Sequence, residues 1–260
     1  MKKFGFTLAE VLIALSIIGV IAAMTIPTLS SNVNNTTNAA KLSAVVANYE
    51  QIFGNMILKE DRLDLMDTEF GVAIAGNQTA NMTTALTKYT KIGTSGTTMT
   101  EVGYGSCTYN PNPFESAAMA ASTGSAIKNI RGGNASFDFI SAITTGSGSI
   151  VFFAGDNATR TEADAISAGA SCAKKASTVY IDVNGSQAPN KYGRDVFAYV
   201  LGADGVLYPY GSLTASFLNT VANNPTWKST TNTTYGCTSG SYTGLGCTAR
   251  LAENGYKVDY

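Results

Sequence analysis

One carboxylate interrupts an otherwise uncharged apolar run: Glu10, within the stretch from Phe6 to Ile26. An acid in such a run is a functional group by default. At the centre of a bilayer it costs about 2.5–3.5 kcal/mol, and a plain anchor gains nothing from it, so a cationic partner is required. The four cysteines, Cys107, Cys172, Cys237 and Cys247, are the other reactive groups. They are even in number, widely spaced and form no Cys-x-x-Cys, which fits disulfides in an oxidising compartment. Three pairings are possible. Cys237 with Cys247 is expected because the two flank a compact Gly/Ser/Thr loop, which leaves Cys107 with Cys172. Loop entropy gives about 3 and 4 kcal/mol for these closures.

Histidine is absent. That removes the commonest general base and the commonest metal ligand together, and with them every Ser/His/Asp or Cys/His constellation. Asp182, Asn184 and Gly185 begin like a calcium loop, but the EF-hand pattern then fails at Gln187 and Gly193. Gly146-Ser147-Gly148 lacks the lysine of a phosphate loop. Asn-x-Ser/Thr sequons, including Asn134, Asn157 and Asn232, fall in Asn/Ser/Thr-rich stretches where chance produces them. The net charge of -1 and pI near 5.5 provide no basic field for nucleic acid or anionic lipid. No cofactor, metal site or nucleic-acid partner is therefore expected.

The element that must position Glu10 is a helix. Phe6 to Ile26 would span about 31 Å, close to the hydrocarbon thickness of a bilayer. Lys2 and Lys3 precede it, so the N-terminus is expected in the cytoplasm and everything after Pro27 across the membrane. Three readings compete: a secretory signal peptide with a small-residue site at Val20-Ile21-Ala22, an uncleaved anchor, and a leader cut just before the apolar run. Glu10 favours the third. Cleavage after Gly5 would give Phe6 a free α-amine one helical turn from Glu10, and in a stack of helices that amine reaches a neighbour's carboxylate. Such a buried pair acts chiefly as a register device, and deleting one partner costs about 3–5 kcal/mol.

Lys3-Phe4-Gly5 followed by Phe6-Thr7-Leu8-Ala9-Glu10 closely resembles the cleavage and methylation motif of type IV prepilins and type II secretion pseudopilins. The resemblance covers about thirty residues. It implies cleavage after Gly5 by a prepilin peptidase, N-methylation of Phe6, and a role for Glu10 in filament assembly. It also implies partners: other pilin or pseudopilin subunits, an inner-membrane assembly platform and membrane lipid. Pro27 stands where many family members carry a helix-loosening proline, and a kink or unwound stretch is expected there. Leu201-Gly202-Ala203-Asp204-Gly205 is similar to a stretch near the calcium site of major pseudopilins. Further acidic ligands are not evident nearby, so a tight turn is expected.

Ser30 to Asn38 is expected to break the helix weakly. Beyond it, Leu42, Val45, Val46, Tyr49, Ile52, Phe53 and Met56 follow helical spacing and define one apolar face. From Asp61 to Gly105, and above all in the Thr-rich stretch 79–100, loops and short irregular elements are expected. Short helices are expected within Phe114 to Ile130 and over Phe137 to Ile143. Strand signals concentrate at 150–153, 178–183, 196–201 and 206–208, with turns at Asn184-Gly185 and Asp204-Gly205. The fold class that follows is α+β: a long N-terminal helix packed on an antiparallel sheet. The organisation is a leader (1–5), a membrane-spanning assembly helix (6–27), its amphipathic continuation (28–60) and a secreted head (61–260).

The leading expectation is a structural subunit of a pilus or secretion pseudopilus, single-pass in the bacterial inner membrane before assembly. A binding module is the alternative: a minor pilin or tip adhesin whose polar loops recognise a surface, DNA or a secreted substrate. A membrane-tethered enzyme would need a pocket of convergent polar groups, which the sequence does not advertise.

Overall fold

A computed structural model describes residues 7–76, 78–90, 92–96, 107–108, 120–121, 141–153, 175–187, 189–212, 226–228, 236–237 and 244–260. Helix α1 runs without interruption over Leu8–Lys59, 52 residues and about 78 Å. It passes through Pro27 and through 30–38, so the expected break there is absent. The Ser, Asn and Thr residues of 30–38 are each about 0.5–0.7 kcal/mol poorer helix formers than alanine, a preference that flanking helix overrides.

Only the second half of α1 packs. Ala39, Leu42, Val45, Val46, Tyr49, Ile52, Phe53 and Met56 are buried, the face that the spacing predicts. They lie in one cluster with the inward side chains of a six-stranded antiparallel sheet, ordered β1-β4-β5-β6-β7-β8. The strands are β1 (Ile92–Gly96), β4 (Ser141–Thr145), β5 (Ile150–Phe153), β6 (Lys175–Asp182), β7 (Val196–Gly202) and β8 (Leu207–Pro209). A two-residue pair, β2 (Cys107–Thr108) and β3 (Ala120–Ala121), stands apart. Register sorts the side chains between faces. Ile143, Val151, Ile181 and Phe197 align across four strands, as do Phe153, Val179 and Tyr199, and both rows enter the core under α1. Phe152, Tyr180 and Ala198 form the opposing row. The period of two along each strand dictates this division.

The sheet meets the helix at its β8 edge. Glu50 of α1 accepts a hydrogen bond from the Leu207 amide at 3.1 Å, capping an edge donor. The β7–β8 turn is the expected Asp204-Gly205 hairpin. Gly205 has φ +81°, and a Cβ there would lie 3.1 Å from the Phe53 Cβ, so the turn rests directly on α1.

Three further expectations are corrected. Stretch 61–105 contains helices α2 (Glu69–Ala75) and α3 (Thr79–Thr87), with Phe70, Ala73, Ile74, Met82, Ala85 and Leu86 buried. Threonine lowers helix propensity, but Met82, Ala85 and Leu86 recur at helical spacing and tertiary burial prevails. Within Phe137 to Ile143, residues 141–143 belong to strand β4. Ala142 and Ile143 are both buried, on opposite faces, and such a run has no period to separate strand from helix. Within Phe114 to Ile130, Ala120–Ala121 is strand and the remainder lies outside the described residues. A further helix, α4 (Cys247–Glu253), docks on β7, where Thr248 Oγ1 accepts from the Ala198 amide at 3.0 Å.

Candidate functional site

Helix α1 presents an apolar surface without a partner over its first twenty residues. Leu8–Pro27 has a mean hydropathy of 2.3 and none of it is buried against the other described residues. Leu12, Ile13, Leu15, Ile17, Ile18 and Ile21 are all more than half exposed. Apolar area of this extent is not stable in water. It requires lipid or other helices, at about 25 cal/mol per Å² covered.

Glu10 stands at the N-terminal end of that surface, about 3 Å along the axis from Leu8, and so near the edge of the apolar stretch rather than its centre. Thr7 is the helix N-cap, with extended backbone. The Thr7 amide donates to Glu10 Oε2 at 2.8 Å and the Thr7 hydroxyl to the same oxygen at 2.7 Å. The Glu10 amide donates back to Thr7 Oγ1 at 3.3 Å. This is a reciprocal capping box. It satisfies helix-end donors and holds the carboxylate toward the N-terminus, where the positive end of the helix dipole also favours it. Thr7 and Glu10 together spell the Thr-x-x-Glu pattern of such a box before an apolar run.

Gly5 and Phe6, the expected cleavage and methylation residues, lie outside the described residues. Pro27 sits inside α1, where its missing N–H removes one helical hydrogen bond.

Cys237 and Cys247 form the expected disulfide, with Cα atoms 4.7 Å apart. Cys107 lies in β2, and Cys172 lies outside the described residues. The bridge belongs to a C-terminal knot that the sequence reading did not anticipate. Arg250 Nε donates to Asp259 Oδ1 at 2.7 Å and its Nη1 to the Cys237 carbonyl at 2.9 Å. The guanidinium stacks over Trp227 and Tyr260, at 5.6 and 5.3 Å from the ring centroids. Trp227 Nε1 donates to Glu253 at 2.8 Å. The hydrogen bond from Arg250 pulls the Asp259 carboxyl below its ordinary value. The tail beyond α4 turns Tyr256, Val258 and Tyr260, alternate residues, toward the main core.

The segments considered for calcium use their oxygens locally. Asp204 accepts from the Val206 amide and the Tyr208 hydroxyl, and the Ala203 carbonyl accepts from the Leu65 amide. Both Asp195 oxygens accept backbone amides, from Asn190 at 2.8 Å and Lys191 at 2.6 Å, and fasten the β6–β7 loop. Among the described residues no three His, Cys, Asp or Glu side chains group as metal ligands. An open groove of about 370 Å³ lies between α2 and α3, lined by Arg62, Asp67, Glu69, Gln78 and Asn81. Glu69 there is paired with Lys88.

Residues 1–26 match the family model described as the prokaryotic N-terminal methylation motif, the signature of the prepilin leader of type IV pilins and pseudopilins. No curated protein and no solved structure matches the chain. The motif supports a pilin- or pseudopilin-type precursor and points to a structural protein. The long apolar N-terminal helix and the antiparallel sheet it packs on form an α+β, pilin-like fold.

Proposed function

We propose that this chain is a structural subunit of a type IV pilus or a type II secretion pseudopilus. A prepilin peptidase removes residues 1–5, and the new terminus at Phe6 is methylated. Residues 6–27 hold the precursor in the inner membrane, 28–60 continue the helix, and 61–260 form the secreted head. Cysteines 107 and 172 form its second bridge. The observation that carries the reading is an uncovered apolar helix with a single carboxylate fixed at its N-terminal end.

The geometry suggests how assembly works. In the membrane, Thr7 satisfies Oε2 of Glu10, which offsets part of the cost of the unpaired acid and leaves its charge to be matched on assembly. Oε1 is left to accept from the α-amine of Phe6 on an adjoining copy. Methylation keeps that amine charged. Extraction from lipid into a bundle of like helices replaces one apolar environment by another, so packing supplies cohesion and the ion pair sets register. Pro27 gives α1 a point at which to bend as heads pack outward.

Glu10→Ala, expressed as the only pilin, tests this. The variant should be processed and inserted, yet filaments should be scarce, because the buried amine loses its partner at about 3–5 kcal/mol. Normal filament yield would remove the mechanism.

A further inference from the structure

The net charge of -1 conceals a separation of charge along the head. Loop 190–195 marks its lower end, where burial of α1 begins at Ala39, because the Arg194 carbonyl accepts from Asn38 at 3.4 Å. Lys191 lies in the same turn, its carbonyl accepting from the amides of Arg194, Asp195 and Val196, and Lys41 is exposed one helical turn above Asn38. The carboxylates of this end, Asp182 and Asp195, are buried, and both Asp195 oxygens are taken by the amides of Asn190 and Lys191. The Arg194 guanidinium lies over the Tyr260 ring at 5.7 Å and pairs with no carboxylate among the described residues. A guanidinium spread on an aromatic face keeps its donor edges for a planar anion.

The upper end, where α1 stops, has the opposite sign. Residues 59–69 hold five carboxylates against Lys59 and Arg62, and Lys88 pairs with one of them, Glu69. Asp61 and Asp67 are exposed and in no ion pair among the described residues, and Asp61 stands at φ 52° in the turn that ends the helix. Residues 38 to 61 span about 35 Å at helical rise. Two ends that complement each other, but not themselves, make a heterologous contact, and such a contact propagates as an open filament when its rotation does not close. Lipid fits the basic end less well: Asn38 lies about 16 Å beyond Pro27 along α1, whereas headgroups add only about 5–8 Å to each side of the hydrocarbon. We infer that the basic lower end of one head, Lys41, Lys191 and Arg194, docks on the acidic upper end, Asp61 and Asp67, of a second copy displaced by about 35 Å along the helix axis. This rests on the filament reading above. The contact lies between heads, outside the apolar helices, and its charges select which copies sit over one another.

The test reverses charge at one end and then at both, in the full chain expressed as the only pilin. Arg194→Glu should be processed and inserted like the unsubstituted chain but lose at least about five-fold in sheared filament, because like charges then meet across the contact. Lys191→Glu, at the same end, should lose filament in the same direction. Asp61→Lys with Asp67→Lys, combined with Arg194→Glu in one chain, should recover filament to within about two-fold, since reversing both ends restores opposite signs. A folding defect from Arg194→Glu cannot be repaired by substitutions about 35 Å away in the same head, so recovery reports the contact between copies. Undiminished filament from either single substitution overturns the inference. So does a loss that the combined variant fails to recover, the result expected if the basic end meets anionic lipid instead. Either outcome leaves the filament reading standing, whereas absence of filaments from the unsubstituted chain overturns both.

Discussion

Phe53→Ala should uncouple the head from its helix. Phe53 is fully buried, and its ring lies 5.3 Å from Phe70, 5.9 Å from Tyr49 and 6.4 Å from Phe153, centroid to centroid. It therefore joins α1, α2 and β5, and the Gly205 turn rests on its Cβ. Truncating a buried phenylalanine costs about 3–5 kcal/mol, the lost ring pairs included. Domains of this kind are stable by about 5–15 kcal/mol, so the variant keeps much less margin. With a urea slope near 2 kcal/mol per molar, the midpoint should fall by about 2 M. Full-length protein in detergent micelles suits the measurement. Trp227 is the sole tryptophan, and it reports from the C-terminal knot rather than from the mutated site. Leu58→Ala, on the same helix but 78% exposed, should move the midpoint by no more than about 0.25 M. Equal, small shifts from both variants would refute the packing argument.

Gly193→Ala should destabilise the head by about 2 kcal/mol or more, because Gly193 has φ +74° and a Cβ there would sit 2.8 Å from the Cys247 Cβ. Urea titration checks it, and an unchanged midpoint would show that the loop can yield. Asp259 supplies a pH dependence. Its folded pKa is depressed by Arg250, so its contribution is present above the ordinary carboxylate range and is lost as pH falls through the folded value. The fall in urea midpoint between pH 5.5 and 2.5 should accordingly be smaller in Asp259→Asn than in the unsubstituted chain, and an equal fall would contradict the pairing.

The parts legible in the sequence are those whose pattern is strictly periodic or whose chemistry is local. The buried face of α1 from Leu42 to Met56 could be read because one face of a long amphipathic helix repeats over several turns. Strands β5 to β8 were readable from β-branched and aromatic runs ended by Asn184-Gly185 and Asp204-Gly205. The disulfide between Cys237 and Cys247 followed from a short spacing. Helices α2, α3 and α4 were not legible: each is nine residues or fewer and draws its stability from burial against distant parts of the chain. The same holds for Arg250, whose carboxylate, carbonyl and aromatic partners are separated from it in sequence. At the functional end, Glu10 declared itself as a lone charge, whereas Thr7 took its meaning from the hydrogen bonds of the capping box. The helix through 30–38 escaped because local propensity opposes it.

Mass spectrometry of the protein's N-terminus, from cells with an active prepilin peptidase, tests the central claim most directly. The account requires a chain beginning at Phe6 and carrying a methyl group on its terminal nitrogen. Recovery of Met1 through Gly5 still attached would leave Glu10 without its partner, and a chain beginning near Ala23 would have lost Glu10 altogether; either result would contradict it.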